Sequence, residues 1–493
     1  MSKTSRLNSF VSLLAGAVVL LAVSCPINAQ PPRKPAPRLP SIIFILADDL
    51  GYGDLGCYGQ TMIKTPNIDK LAAEGMKFTD FYAGNTVCAP SRCTLMTGLH
   101  TGHSRIRGNG TLPLTAEDFT VAELLRKNGY RTCALGKWGM GELGSSGVPG
   151  KQGFDEWFGY LDQVEAHNYY PMVLNRFDGG RLAGDQERQL EITENQGGKK
   201  GKYSNDYFTE AALRYITYSK PEWNNHYRPF FLYLAYTIPH ANNELAEKTG
   251  NGMEVPSDEP YSGETWPQVE KNKAAMITRL DTYVGKIMEV LRTNGMDKNT
   301  VVFFSSDNGG HKEGGVDPSF FHSNGPLRGI KRDLYEGGIR VPFIAWWPGH
   351  VKAGTTSDRP AAFWDFLPTA AELARIDAPA NIDGISILPA MLGQPQTNRH
   401  EFLYWEFHEG GFKQAVRMGD WKTVRFGSDG PLQLYNLKGD IGEKTDVAES
   451  HPEIVAKIED YLKTARTPDT NWPTATAAKT SKLEYGANQP AGK

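Results

Sequence analysis

Four apolar runs, each closed by polar residues, organise this chain. Residues 41–47 run apolar into Asp48-Asp49, and residues 229–237 run into Pro239-His240. Residues 300–306 end in Asp307-Asn308-Gly309-Gly310, and residues 340–347 have the same look. Such runs, apolar without alternation, predict central parallel strands covered on both faces. Helical spacing lies between them. Residues 67–74 form a short helix stopped by Gly75, and residues 120–128 place Val121, Leu124 and Leu125 on one face before Gly129. Residues 272–293 carry Met276, Leu280, Tyr283, Val284, Ile287 and Leu291 at helical intervals. The alternation predicts an α/β fold. Its large central sheet, mixed but mainly parallel, is sandwiched by helices, and its site lies along the C-terminal ends of the strands.

The character changes near residue 395. Residues 402–407, 413–417 and 421–425 are short alternating runs between glycine-rich turns, which predict a small antiparallel sheet. Residues 452–466 then form an amphipathic helix with Ile454, Ile458 and Leu462 inward. The expected division is a catalytic α/β domain over 41–395, a C-terminal subdomain over 396–467 and a loosely held tail over 468–493. At the front, Lys3 and Arg6 precede an uncharged apolar stretch over 10–23, and Ala29 offers a small residue for cleavage. Residues 1–29 therefore read as a secretion signal, and the proline-rich segment 30–40 as a linker. Cys25 is a weaker, lipoprotein-type processing site. The expected address is the periplasm or the exterior, with no stable membrane span.

Charge and cysteine content narrow the function classes. The 493 residues carry a formal net charge of −3, which becomes −5 once Lys3 and Arg6 leave with the signal. No basic run marks a nucleic-acid partner. With Cys25 in the signal and Cys88 reserved for chemistry, Cys57, Cys93 and Cys133 remain. An odd remainder argues against a disulfide scaffold.

The densest chemistry lies at Cys88-Ala89-Pro90-Ser91-Arg92. Pro90 can open a helix and Gly98 can stop it. Free backbone N–H groups at a helix start attract anions, and Arg92 adds a fork of donors in the same turn. A nucleophile, an anion cradle and an arginine in one corner suit a tetrahedral oxyanion, sulfate or phosphate. Taken alone, a cysteine here is as often a buried space-filler. Asp48, Asp49, Asp307 and Asn308 close two predicted strands far apart in sequence. Adjacent strands would gather their oxygens, and three carboxylates so placed repel one another unless a cation sits between them. Singly, each is an ordinary turn or cap residue.

Cys88 to Arg92 resembles the Cys-x-Pro-Ser-Arg signature of the type I, formylglycine-dependent sulfatases of the alkaline phosphatase superfamily. Gly136-Lys137-Trp138, Gly153-Phe154-Asp155-Glu156-Trp157-Phe158-Gly159, the Asp307-Asn308-Gly309 turn and Tyr335-Glu336-Gly337-Gly338 resemble further family segments, in family order, over residues 40–465. The resemblance implies that a formylglycine-generating enzyme oxidises Cys88 to formylglycine, whose hydrate is the nucleophile. It implies Ca2+ held by Asp48, Asp49, Asp307, Asn308 and residue 88, with Mg2+ compatible with the same ligand type. It implies that Arg92, Lys137 and Lys331 meet the charge of the sulfate and that His240 protonates the departing alcohol. One hydroxyl of the hydrate attacks sulfur, and the other then loses its proton to restore the aldehyde and expel sulfate. The implied activity is removal of sulfate from a sulfated carbohydrate.

One departure stands out. Family members commonly read Gly-Lys-Trp-His-x-Gly, and this chain has Gly139 at the histidine position. His103 is the leading replacement for that proton acceptor, ahead of His167 and Lys137. Trp157, Tyr160, His167, Asn168, Tyr169 and Tyr170 are expected to form a sugar-stacking wall, with a galactose or N-acetylgalactosamine sulfate as substrate class. Two rival functions differ in their marks. A phosphate or phosphonate ester hydrolase of the same superfamily would typically place Thr or Ser at the nucleophile and hold a zinc pair, whose histidines are not evident. A binding protein for sulfated glycans that has lost catalysis rests on Gly139 alone.

Overall fold

Continuous apolar runs did become the middle of a sheet. A computed structural model describes residues 38–179, 187–221 and 227–474. The signal segment 1–29, most of the linker and residues 475–493 of the tail lie outside the described residues. The strands in chain order are β1 (Ser41–Ala47), β2 (Met76–Phe78), β3 (Phe81–Tyr82), β4 (Arg131–Lys137), β5 (Glu156–Tyr160), β6 (Val173–Phe177), β7 (Arg188–Glu191) and β8 (Phe230–Ala235). They continue with β9 (Thr300–Ser306), β10 (Phe343–Trp346), β11 (Thr355–Ser357), β12 (Ala361–Ala362), β13 (Leu403–Phe407), β14 (Lys413–Met418), β15 (Trp421–Phe426) and β16 (Leu432–Asn436). Among the described residues the main sheet runs β11-β2-β10-β9-β1-β8-β4-β5-β6-β7. Its centre, β9-β1-β8-β4-β5, is parallel throughout. Every residue of β1, β8 and β9 is buried, as apolar strands with helices on both faces require.

Residues 340–347 are a correction to the reading of a fourth parallel strand. β10 runs antiparallel to both β9 and β2. A parallel return needs a crossover of a dozen or more residues, usually helical, to carry the chain back to the starting edge. The 307–342 connection holds only the four-residue helix Glu336–Ile339 and a short turn at Glu313–Gly315, so the chain re-enters the sheet from the edge it left.

Helix boundaries follow their caps. The long helix is Gln268–Thr293, four residues longer at its start than its apolar spacing shows. Its first turn is polar, and Glu270 is buried because its carboxylate accepts the Asp317 N–H at 2.7 Å. The helix Val121–Lys127 starts at a capping box. Thr120 Oγ1 accepts the Glu123 N–H at 3.2 Å, and the Glu123 carboxylate accepts the Thr120 N–H at 3.0 Å. Thr120→Ala is expected to cost about 1 kcal/mol of stability, read by chemical denaturation, without touching activity.

The segment beyond residue 395 builds the antiparallel sheet β13-β14-β15-β16, with the helix Pro452–Leu462 against it. This sheet is tied to the main layer by buried charge. Lys422 Nζ donates to Glu336 at 2.9 Å and to Glu443 at 3.3 Å, all three side chains being fully buried. Trp405 Nε1 donates to the Ala83 carbonyl at 2.9 Å, a few residues before Cys88. The cysteines of the described residues, Cys57, Cys88, Cys93 and Cys133, are free thiols.

Candidate active site

Strand register makes the site. β1 and β9 pair with Ala47 opposite Ser306, so Asp48-Asp49 and Asp307-Asn308 leave the sheet side by side. Asp49 has a φ of +64°, a left-handed turn that a short polar side chain tolerates. Its N–H donates to Asp307 Oδ1 at 3.1 Å, and Asn308 Nδ2 donates to Asp49 Oδ1 at 2.7 Å. Gly309 must follow, because a Cβ there would lie 1.8 Å from the Gly337 carbonyl oxygen.

Cys88 meets these acids from the helix Cys88–Thr97. The helix opens at Cys88 itself, with extended Val87 as its cap and Pro90 inside the first turn, and Gly98 ends it at a φ of +73°. The thiol donates to Asp48 Oδ1 at 3.4 Å, and Lys137 Nζ, at the end of β4, lies 3.4 Å from the sulfur. Lys137 also donates to Asp48 Oδ2 at 2.8 Å. Arg92, one turn along, donates through Nε and Nη2 to Asp307 Oδ2 at 3.0 and 2.8 Å and through Nη1 to the Lys137 carbonyl at 2.6 Å. One expected donor is already engaged: the Ala89 N–H is capped by Asn109 Oδ1 at 3.0 Å. Lys331 Nζ donates to Asp49 Oδ2 at 2.8 Å, His240 Nε2 at 3.0 Å and Glu313 Oε2 at 3.1 Å. Cys88, Arg92, Lys137, His240, Lys331, Asp48, Asp49, Asp307 and Asn308 are thus gathered at one sheet edge, each nearly or wholly buried.

Burial pushes every charge here toward its neutral form, and the partners decide the outcome. Burial would raise Asp48, but Lys137, His240 and Arg92 hold it well below the usual carboxylate range. Asp49 stays low in the same way, through Lys331 and His240. Asp307 goes the other way. Burial and Asp48 beside it push it up to about 7 in spite of Arg92. Burial and Asp48 also push the Cys88 thiol well up, against the pull of Lys137. Burial and Lys331 push His240 down to about 3. His240 Nδ1 lies 2.7 Å from the Ala241 carbonyl, which assigns the ring proton to Nδ1 and leaves Nε2 as the acceptor facing Lys331.

The donor set fits a hard cation. Asn308 Oδ1 is buried without a hydrogen-bond partner, its amide nitrogen being turned to Asp49. Asp48, Asp49, Cys88 and His240 put ligand atoms within 4.8 Å of one another. An orphaned amide oxygen beside gathered carboxylates is what an oxygen-loving divalent ion repairs.

Comparison with known proteins agrees with this geometry. The family model described as "Sulfatase" matches residues 40–376, and one described as "N-sulphoglucosamine sulphohydrolase, C-terminal" matches residues 330–467. The chain belongs to the sulfatase family. It is 34% identical to N-acetylgalactosamine-6-sulfatase of Rattus norvegicus over 79% of this chain and 72% of that protein. It is 29% identical to N-acetylgalactosamine-6-O-sulfatase of Bacteroides thetaiotaomicron over 95% of this chain and 100% of that protein. A solved structure described as "Crystal structure of Ps i-CgsB in complex with k-i-k-neocarrahexaose" is 31% identical with a TM-score of 0.71, covering 88% of this chain and 96% of that one. The protein is a sulfuric ester hydrolase.

One expectation for this sulfatase is not matched by the geometry. His103 does not join the Cys88 cluster. Its Nδ1 lies 2.9 Å from Asp383, and its ring stacks on His100 at 4.3 Å, whereas Lys137 is the cation at the sulfur. Nor can a side chain simply be added at Gly139. Its φ is +77°, and a Cβ would lie 1.9 Å from Gln163 Nε2. The Gln163 amide fills that space and donates to the Gly139 carbonyl at 3.3 Å.

The aromatic wall is likewise reduced. Trp157, Tyr160 and Tyr169 are core residues at 2%, 1% and 0% exposure. The Tyr160 hydroxyl donates to the Asn168 carbonyl, and the Tyr169 hydroxyl donates to the carbonyls of Thr237 and His240 and so holds the His240 loop. Asn168 is exposed and Tyr170 half-buried. His167 stacks on His240 at 4.7 Å and 14°, and its Nδ1 lies 3.2 Å from Glu244.

Two residues of the site escaped the sequence reading. His311 Nε2 donates to the Pro239 carbonyl at 3.2 Å while its Nδ1 accepts the Glu313 N–H at 3.0 Å, which ties the His240 loop to the loop after β9. Glu313 touches Lys331 and His240. Both follow Asp307-Asn308 within six residues, in the strand-end loop where function concentrates. That position was their only signal.

Proposed function

We propose that this sulfatase removes ester sulfate from a galactose- or N-acetylgalactosamine-type unit of a glycan in the periplasm or outside the cell. In this reading residue 88 is matured from cysteine to formylglycine by a formylglycine-generating enzyme, and Asp48, Asp49, Asp307 and Asn308 hold Ca2+. The observation that carries it is the convergence of Arg92, Lys137 and Lys331 on the strand-end acids around residue 88. The sugar class is supported by the relatives named N-acetylgalactosamine sulfatases and by the neighbour bound to a neocarrahexaose. Export is supported by the apolar stretch after Lys3 and Arg6. Among the described residues no helix is long and apolar enough to cross a membrane.

When bound, Ca2+ supplies a Lewis acid beside the nucleophile. Lys137 donates to the side chain of residue 88 and Asp48 accepts from it, so these two hold the attacking group's proton and its growing charge. The same contacts support giving that pair, in place of His103, the second proton transfer. Lys331 and Lys137 are fixed cations for the sulfate oxygens, Lys331 turning one of its three N–H groups from its present acceptors Asp49, His240 and Glu313 to do so, and Arg92 fixes Asp307 and the Lys137 backbone. Neutral His240 bonds Lys331, and the singly negative sulfate ester arriving beside them favours the protonated imidazole. Its Nε2 then faces the leaving oxygen.

A sugar alkoxide needs that proton, and 4-nitrophenolate does not. His240→Gln is therefore expected to lower kcat/KM on a sulfated sugar by about 10²–10⁴ and on 4-nitrophenyl sulfate far less. An equal fall on both would remove His240 from the acid role. Sulfate release across a panel of sulfated saccharides of defined linkage tests the substrate class. Faster turnover of 4-nitrophenyl phosphate than of the sulfate would favour the phosphatase reading instead.

A further inference from the structure

Lys331 and Arg332 are adjacent cations with opposite fates. Lys331 is buried among Asp49, His240 and Glu313, while Arg332 stands at the rim with 46% of its side chain exposed. Arg332 adopts a φ of +76°, unusual for a residue with a long side chain. Its N–H donates to the Thr86 carbonyl at 3.2 Å, two residues before Cys88, which fixes its place beside the nucleophile. Its guanidinium then bridges two carboxylates. Nη1 bonds Glu313 Oε1, and Nε donates to Glu409 Oε2 at 2.9 Å. Glu409 lies in the turn between β13 and β14, so the C-terminal sheet reaches the rim of the site. Lys413 from the same hairpin donates to the Arg332 carbonyl at 3.4 Å.

Glu313 is misplaced for sulfate. A carboxylate 3.1 Å from Lys331 repels the anion that Lys331 would grip. It lies on the side of His240, 3.5 Å from Nε2, where the alcohol departs. A carboxylate and a guanidinium there make an acceptor–donor pair, the chemistry that reads hydroxyl groups. We propose that the Glu313–Arg332–Glu409 bridge is the sugar-reading wall of the site, selecting a ring with an uncharged hydroxyl neighbouring the sulfate ester over one with a second anionic group there. This rests on the sulfated-sugar reading above. The flanking carboxylates supply the discrimination, since a second sulfate would face Glu313 and Glu409, whose neighbouring cations Lys331, Arg332 and Lys413 are already engaged by the wall.

The test uses the full-length matured enzyme and three probes: N-acetylgalactosamine 6-sulfate, its 4,6-disulfate, and 4-nitrophenyl sulfate, which has no hydroxyl to read. Arg332→Ala is expected to lower the sugar-to-aryl ratio of kcat/KM by about tenfold or more, the scale of a lost charged hydrogen bond. Glu409→Gln is expected to raise the ratio of disulfate to monosulfate turnover by about tenfold. Either ratio staying within about twofold of wild type overturns the wall. So does an equal fall on all three probes, which marks a merely structural role. Wild type that cleaves the aryl ester but neither sugar overturns the substrate reading, and this inference with it. Sugar turnover with unmoved ratios sinks the wall alone.

Discussion

Cys88→Ala is expected to abolish sulfate release and leave the fold standing. The expected loss is at least about a thousandfold in kcat, since no other nucleophile is placed at this corner. The substitution removes one small side-chain head whose neighbours, Asp48 and Lys137, lie 3.4 Å from the sulfur in the thiol form. Lys137 keeps its 2.8 Å bond to Asp48 without it. The thermal transition should therefore stay within a few degrees of wild type, a cost of about 1 kcal/mol. Mass spectrometry of the peptide around residue 88 supplies the companion measurement. It should show the aldehyde in active protein and the unmodified thiol in protein made without the maturing enzyme, which should be inactive. Wild-type turnover by Cys88→Ala, or full activity of the thiol form, would sink the mechanism.

Removal of the cation, or of Asp307, should cost both activity and stability. Asp307 accepts two bonds from Arg92 and one from the Asp49 backbone. Arg92 is fully buried, so Asp307→Ala strands a guanidinium in the interior. Breaking one side of a buried pair costs about 3–5 kcal/mol, and the proposed metal cage would lose a ligand as well. A chelator acts on the cage alone. It should stop turnover, lower the melting temperature and be reversed by added Ca2+, with Mg2+ as the discriminating control. The proposal of a cage rests on Asn308 Oδ1, buried without a partner beside three carboxylates. A chelator-treated protein with unchanged activity and melting temperature would rule out the cation.

Most of the site was legible in the sequence because the polar residues at the ends of apolar strands have nowhere else to go. Asp48-Asp49, Asp307-Asn308 and His240 each follow a run that must be a buried strand, and such strands present their C-terminal ends to one edge. Motif residues Cys88, Arg92, Lys137 and Lys331 were found by resemblance, not by periodicity. What failed were inferences from proximity in sequence. His103 lies close behind Cys88 in the chain, yet the helix Cys88–Thr97 carries it away to Asp383. Tyr169 and Trp157 looked like a sugar platform, but the pattern of aromatics cannot say which face of a strand or loop is covered.

By itself, then, the sequence determined the central strands β1, β8 and β9, the long helix and the polar residues that close those strands, since hydrophobic period is a property of short segments. Tertiary structure alone decided three things. It set the antiparallel sense of β10, because direction depends on which edge the connection returns from. It filled the place of the absent histidine with Gln163, because a positive φ at Gly139 and an amide 24 residues away share one volume. And it brought Glu409 to Arg332 across 77 residues, a contact between two sheets that no local pattern encodes.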